Sequence, residues 1–176
     1  MKIKLLIILL STMCLVGCGF HLRGVTDNLQ ASNLKNVSVY LAVADGDDAF
    51  HRQLLRELQI TETQLIDDVN QADWHLVVLS VKTEKKSVGI DNKGRSNEYE
   101  INMKIEFIIG ARSALDEKSN VNNADDNHLT FNISRNVYFD NNDQIGQRNE
   151  EINILKTMRE ALSKRLVNAL SISVVK

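Results

Sequence analysis

The chain has 176 residues, 43% of them hydrophobic and 25% charged, with a formal net charge of −2, two cysteines and no proline. That length suits one domain, and the acidic balance argues against a nucleic-acid binder, which carries a basic excess on one face. Without proline, the turns must come from the Gly, Asn and Asp residues that lie between the apolar runs.

At the N-terminus Lys2 and Lys4 precede the apolar run Leu5 to Leu10, the order of charged and apolar regions in an export signal. The run is short of the roughly 20 apolar residues a membrane-spanning helix needs. Leu15-Val16-Gly17-Cys18 follows and resembles a lipobox. Residues 1–17 are therefore expected to be a cleaved lipoprotein signal peptide, with Cys18 as the mature N-terminus carrying N-acyl diacylglycerol. Cys14 leaves with the signal and Cys18 is consumed by the lipid, so no thiol remains for a disulfide or a cysteine metal site. Several acyl chains hold a protein on a membrane durably where one does not. Gly19 follows Cys18 where an aspartate would mark inner-membrane retention, and resemblance to that rule favours the outer membrane. Loss of Lys2 and Lys4 takes Lys+Arg from 21 to 19 against 23 Asp+Glu, a formal charge of −4 for the mature chain.

Residues 18–36 have few large apolar groups and read as a lipidated tether; residues 37–176 read as a single domain. Val37, Val39, Leu41 and Val43 alternate with period two, which predicts a strand. Asp47 is placed to cap a helix running to about Leu58, with Phe50, Leu54, Leu55 and Leu58 as its apolar stripe. Leu65-Ile66 is a short apolar piece suited to a sheet edge. From Trp74 to Lys86 the early residues are apolar on both faces, as in a strand near the sheet centre or one capped at that end. From Tyr99 to Ile109 the odd residues are apolar and the intervening Glu100, Asn102, Lys104 and Glu106 polar. Leu129 to Phe139 repeats the pattern, interrupted by Arg135. A final helix is expected from an Asn149 cap, with Glu150 and Glu151 in its first turn and a stripe of Ile152, Leu155, Met158, Leu162, Leu166 and Leu170.

The expected fold is α+β: two helices packed on one face of a four-stranded, mostly antiparallel sheet, in the order β-α-β-β-β-α. The segments 85–97 and 113–127 carry no core pattern and read as mobile loops. No nucleophile elbow, phosphate loop, dinucleotide fingerprint or zincin helix is present, and His21, His51, His75 and His128 are scattered. Asp140-Asn141-Asn142-Asp143 lacks the glycine and glutamate of a calcium loop and is better read as a polar turn. The chain reads as a non-enzyme.

The octet Gly17-Cys18-Gly19-Phe20-His21-Leu22-Arg23-Gly24 closely resembles the start of the mature LptE family of lipopolysaccharide-assembly lipoproteins, in which an aromatic, His, Leu and Arg follow the Cys-Gly pair. Asn97-Glu98-Tyr99-Glu100-Ile101 is similar to the family's Glu-Tyr strand opening after a basic hairpin, and Phe139-Asp140-Asn141 to the segment before its long helix. The Asn-rich stretch at 113–127, the lack of proline and the end at Lys176 without a long polar tail depart from the family. The resemblance implies a partner of the outer-membrane barrel LptD, set in its lumen as a plug and assisting lipopolysaccharide delivery from the periplasmic side. A sheet with one polar face suits a hydrated lumen and bulk water equally, so a free-standing periplasmic ligand-binding lipoprotein is the alternative. The hairpin residues Lys85, Lys86, Lys93 and Arg95 form a basic cluster on an acidic domain. They are candidates for lipopolysaccharide phosphates, which Lys and Arg bind at about 1.5–3 kcal/mol per charge-assisted hydrogen bond. A solvated hairpin tip accounts for the same residues.

Replacing Cys18 with Ala is expected to abolish acylation and leave the fold intact, because Cys18 lies outside every predicted core face. Mass spectrometry of the mature N-terminus checks this; a free Cys18 in the wild-type chain would end the lipoprotein reading.

Overall fold

A computed structural model describes residues 32–44, 47–112, 128–138 and 144–175. The elements in chain order are a short 3-10 turn at Ser32–Leu34, β1 Ser38–Val43, α1 Asp48–Ile60, β2 Gln64–Leu65, β3 Trp74–Ile90, β4 Ser96–Ala111, β5 His128–Tyr138 and α2 Gln144–Val175. The sheet order is β2-β1-β3-β4-β5. Pairing is parallel on the β1 side and antiparallel between β3 and β4 and between β4 and β5. The α+β expectation of two helices on one sheet face holds, with five strands in place of four. The fifth is the two-residue β2, where the apolar pair Leu65-Ile66 marked a sheet edge.

β4 is the organising strand. Ile101, Met103, Ile105 and Phe107 are buried and face the helices, while Asn102, Lys104 and Glu106 project to the other side, as period two requires. Phe50, Leu54 and Leu58 of α1 and Met158, Leu162, Leu166 and Leu170 of α2 complete one continuous core with Val39, Leu76, Val78 and Val137. Leu34, assigned to the tether by its sequence context, is fully buried in that core.

β3 changes the parity of its inward face part-way along. Val78 pairs with Phe107 and Ser80 with Glu106, leaving Leu79 as the extra residue of a β-bulge. Leu76 and Val78 face the helices before the bulge; Val81, Thr83 and Lys85 do so after it, opposite Ile105, Met103 and Ile101. A bulge absorbs one residue without disturbing the partner strand.

Asp47 caps α1 as expected. Its Oδ1 accepts from the Ala49 and Phe50 amides at 2.9 and 3.0 Å, and its Oδ2 accepts from Arg159 Nε of α2 at 2.8 Å. One carboxylate thus satisfies two orphan helix donors and ties the two helices together. The Ser38 hydroxyl is buried because it donates to the Asp73 carboxylate and accepts from the Asp73 amide at 2.9 Å.

Two sequence expectations are corrected. Segment 85–97 is not a loop: β3 and β4 stay paired to Ile90 and Ser96, with register shifts at Val88 and Asn97, and a turn at 91–95 closes the hairpin. No core pattern marks this arm because it projects beyond the helix-covered area and is held by backbone hydrogen bonds. α2 starts at Gln144, so Asn149 lies inside the helix and Glu150 and Glu151 are not in its first turn. The added residues bury little, with Ile145 78% and Ile152 54% exposed. Ile152 therefore drops out of the expected stripe. Segments 113–127 and 139–143 and Cys18 lie outside the described residues. No helix among the described residues is long and apolar enough to cross a membrane.

Leu162, fully buried under β4, is expected to cost about 2–5 kcal/mol when replaced by Ala, whereas Ile152→Ala should stay within about 0.5 kcal/mol. Urea unfolding of both variants measures the contrast.

Candidate interaction surface

From Ser80 to Lys86 on β3, Glu98 to Glu106 on β4 and Thr130 to Asn136 on β5, the residues that face away from the helices form a polar face; beyond Ser80 the same side turns apolar, with Val77 opposite Ile108. Cross-strand register sets Lys82 against Lys104, Glu84 against Asn102 and Lys86 against Glu100. It continues with Glu98, Glu100, Asn102, Lys104 and Glu106 against Tyr138, Asn136, Ser134, Asn132 and Thr130. Like charges directly opposite are unfavourable, and the Lys82–Lys104 pair is relieved locally. Lys104 Nζ donates to Glu106 at 2.6 Å, and the Ser80 hydroxyl donates to the same carboxylate at 3.1 Å. The Lys104 hydrogen bond first, then that of Ser80, hold the Glu106 carboxyl below its ordinary pKa. Asn102 donates to Ser134 at 2.9 Å. This face is a surface of mutually satisfied polar groups, with charges of both signs.

The arm holds the four basic residues proposed from sequence, and it disperses them. Lys85 and Lys86 are neighbours in an extended strand and so point to opposite faces. Lys85 lies on the helix side, where its ammonium is 2.6 Å from Glu151 of α2 and 4.8 Å from the Tyr99 ring centroid. Lys86 lies on the polar side, 3.3 Å from Glu84. Lys93 and Arg95 are in the terminal turn. The structure therefore brings Lys93 and Arg95 into one turn and leaves Lys85 and Lys86 on separate faces of the strand leading to it.

The turn is organised by Asp91. Its Oδ1 accepts from the Lys93 and Arg95 amides at 2.8 and 2.9 Å, and its Oδ2 accepts from Arg95 Nε at 2.8 Å. Gly94 takes φ +76°, the left-handed region that glycine occupies without steric strain. Nearer the core, Gly89 packs so closely that an added Cβ would sit 2.9 Å from Glu98 Cβ. Val88 and Ile90, flanking Gly89, are 50% and 70% exposed, so the arm carries apolar as well as basic groups near its end.

A family model for lipopolysaccharide-assembly, LptE, matches residues 36–170. The chain belongs to the LptE family. An LPS-assembly lipoprotein LptE from Pectobacterium atrosepticum is 28% identical over 100 residues, 54% of this chain and 50% of that protein. The chain thus spans about half the length of this curated relative. A solution structure of an uncharacterized lipoprotein B from Nitrosomonas europaea superposes with TM-score 0.65 at 18% identity, covering 88% of this chain and 91% of the other. The crystal structure of rare lipoprotein B from Shewanella oneidensis gives 0.62 at 17% identity, covering 78% and 96%. These two likenesses establish the shared LptE-like fold.

The Asp91 carboxyl is held below its ordinary pKa, first by the Arg95 amide and then by the Arg95 side chain and the Lys93 amide. A depressed folded-state pKa means that its ordering of the turn is complete above the unfolded value, 3.8, and is lost as pH falls through the lower folded value. The Lys93 and Arg95 amide resonances should therefore stay constant from neutral pH to about pH 5 and move only in acid. In Asp91→Ala they should already hold their acid positions at neutral pH; an NMR titration of both proteins checks this.

Proposed function

We propose that this LptE-family chain is a non-enzymatic outer-membrane lipoprotein that seats as a plug in the barrel LptD and assists lipopolysaccharide assembly. In this reading an N-acyl diacylglycerol on Cys18 holds it to the periplasmic side of the membrane. The observation that carries the reading is the polar face of β3, β4 and β5, together with family membership. A barrel lumen is lined by polar side chains, and a protein seated there must present hydrogen-bonding groups outward while its apolar residues are spent internally. Ser80, Lys104 and Glu106 meet that requirement on one side, and the helix–sheet core meets it on the other.

A small-molecule carrier uses a deep, mainly apolar pocket with a few polar groups. Among the described residues, the grooves beside α1 and α2 are instead lined largely by Arg, Lys, Asp and Gln side chains, which suit a polar partner better than an apolar ligand. Under the same reading Lys93 and Arg95 at the arm tip, with Lys86 and Lys85 behind them, are the proposed contacts with lipopolysaccharide phosphates.

Photo-crosslinkers at Asn102, Lys104 and Ser134 in the full-length chain should capture a β-barrel protein from intact outer membranes, which would copurify stoichiometrically in detergent. Charge reversal at Lys104 should reduce that capture while changing stability by no more than about 0.5 kcal/mol. Capture of lipid or soluble periplasmic proteins alone would overturn the plug reading.

A further inference from the structure

On the side of the molecule opposite the polar sheet face, α1 and α2 enclose a cleft of about 180 Å³ lined by Ala49, Arg52, Gln53, Arg56, Lys156 and Arg159. Four of the six residues are cationic and none is acidic. Arg52 and Arg56 are one helical turn apart on α1, and Lys156 and Arg159 are three residues apart on α2, so each pair projects from one helix face. The cleft is continuous, through Ala49, Arg52 and Arg159, with a wider open groove of about 570 Å³ that Asp47, Asp48, Val81, Thr83 and Leu155 also line.

Little within the fold neutralises the narrow end. Arg159 is committed to Asp47. Arg56 donates to the neutral Gln53 amide oxygen at 3.2 Å, and Gln53 in turn donates to Glu57 at 2.9 Å. Among the described residues no ion pair uses Arg52, Arg56 or Lys156. With Arg159 neutralised by Asp47, Arg52, Arg56 and Lys156 converge from two helices at one small-residue floor whose lining holds no carboxylate, an arrangement that is unfavourable in isolation. A bound anion would supply the missing charge.

We propose that this interhelical cleft, where Arg52 and Arg56 of α1 face Lys156 of α2, binds a phosphate group. Guanidinium forks and an ammonium match a tetrahedral oxyanion with several acceptor oxygens, and the cleft admits one such group. The wider groove, with the Asp48 carboxylate and the Thr83 hydroxyl, offers acceptors to the hydroxyls of a sugar carrying that phosphate. The ligand class is thus a phosphorylated sugar headgroup. Its assignment to lipopolysaccharide rests on the function proposed above, while the phosphate site stands without it.

The test uses the full-length lipidated chain in detergent and follows the backbone amides of Ala49, Arg52, Gln53 and Lys156 by NMR. The probes are lipopolysaccharide with its headgroup phosphates, the same lipopolysaccharide after enzymatic dephosphorylation, and inorganic phosphate. Intact lipopolysaccharide should shift these amides saturably and the dephosphorylated form should not. The Arg52→Gln/Lys156→Gln double variant should weaken the response about tenfold or more. Arg52→Lys/Lys156→Arg should restore most of it, and matching melting curves show that the fold is retained. Lys35→Ala, which removes a surface cation paired with Glu62 outside both the cleft and the arm, should leave it unchanged. A response to inorganic phosphate alone supports the site and assigns it to free phosphate. Equal shifts from the dephosphorylated lipid, no weakening in the double variant, or no shift with any probe overturn the proposal. If intact lipopolysaccharide moves only the arm-tip amides, the cleft is refuted while the lipopolysaccharide reading survives.

Discussion

The antiparallel ladder between β3 and β4 is the constraint around which the molecule is arranged. It spans the helix-covered core and the uncovered arm, shifting register at Leu79, Val88 and Asn97, and β4 keeps one alternation from Glu98 to Ile109. The inward residues Ile101 to Phe107 give the helices an apolar floor, and the outward residues give the sheet its hydrated side. Pairing with β3 and β5 satisfies the backbone of β4 along most of its length, which lets the strand continue past the point where burial ends. What the two halves of the hairpin do is therefore set by what covers them. Under α1 and α2 the ladder carries the core on one face and the polar candidate surface on the other; beyond them it carries the basic turn.

Asp47 and Lys85 show how the helix layer is fastened to this frame. Asp47 joins a helix cap to an interhelical ion pair through a single carboxylate. Each partner is mostly shielded from solvent, so this contact is screened less than a surface pair. Lys85 pins the early turns of α2 to the base of the arm through Glu151 and the Tyr99 ring. α2 is consequently longer than its apolar stripe. At about 48 Å for 32 residues, it reaches from the core to the arm, and its N-terminal turns are held at that end by a polar contact.

How much was legible in the sequence depended on whether a pattern reflected burial. The alternation of β4, the Asp47 cap and the stripe from Met158 to Leu170 all lead to the core, and each was readable. The arm was not, because backbone pairing leaves no trace in side-chain polarity. The start of α2 was not, because the residues from Ile145 to Asn149 bury little and Gly146 argues weakly against a helix. Leu79 sits in an apolar run with Val77 and Val78, so nothing marked it as the residue left unpaired. The basic residues of the arm were visible as residues, yet their division between two faces depends on strand geometry. The cleft cations were visible only as charges on two exposed helix faces. Their convergence is a tertiary fact, and spacing of three or four residues was the available signal.

The Leu79 bulge also bears on how the chain tolerates changes of length. Val78 and Ser80 already occupy successive places opposite Phe107 and Glu106, so removing Leu79 would regularise the ladder and leave every later side chain on its present face. Removing one residue between Val81 and Lys86 would instead exchange the two sides of the arm, turning charges toward α2 and hydrophobic groups toward water. Two-residue changes in the arm would preserve both faces. Length variation in this strand is thus quantised, with Leu79 as a single-residue step at which an odd change is absorbed.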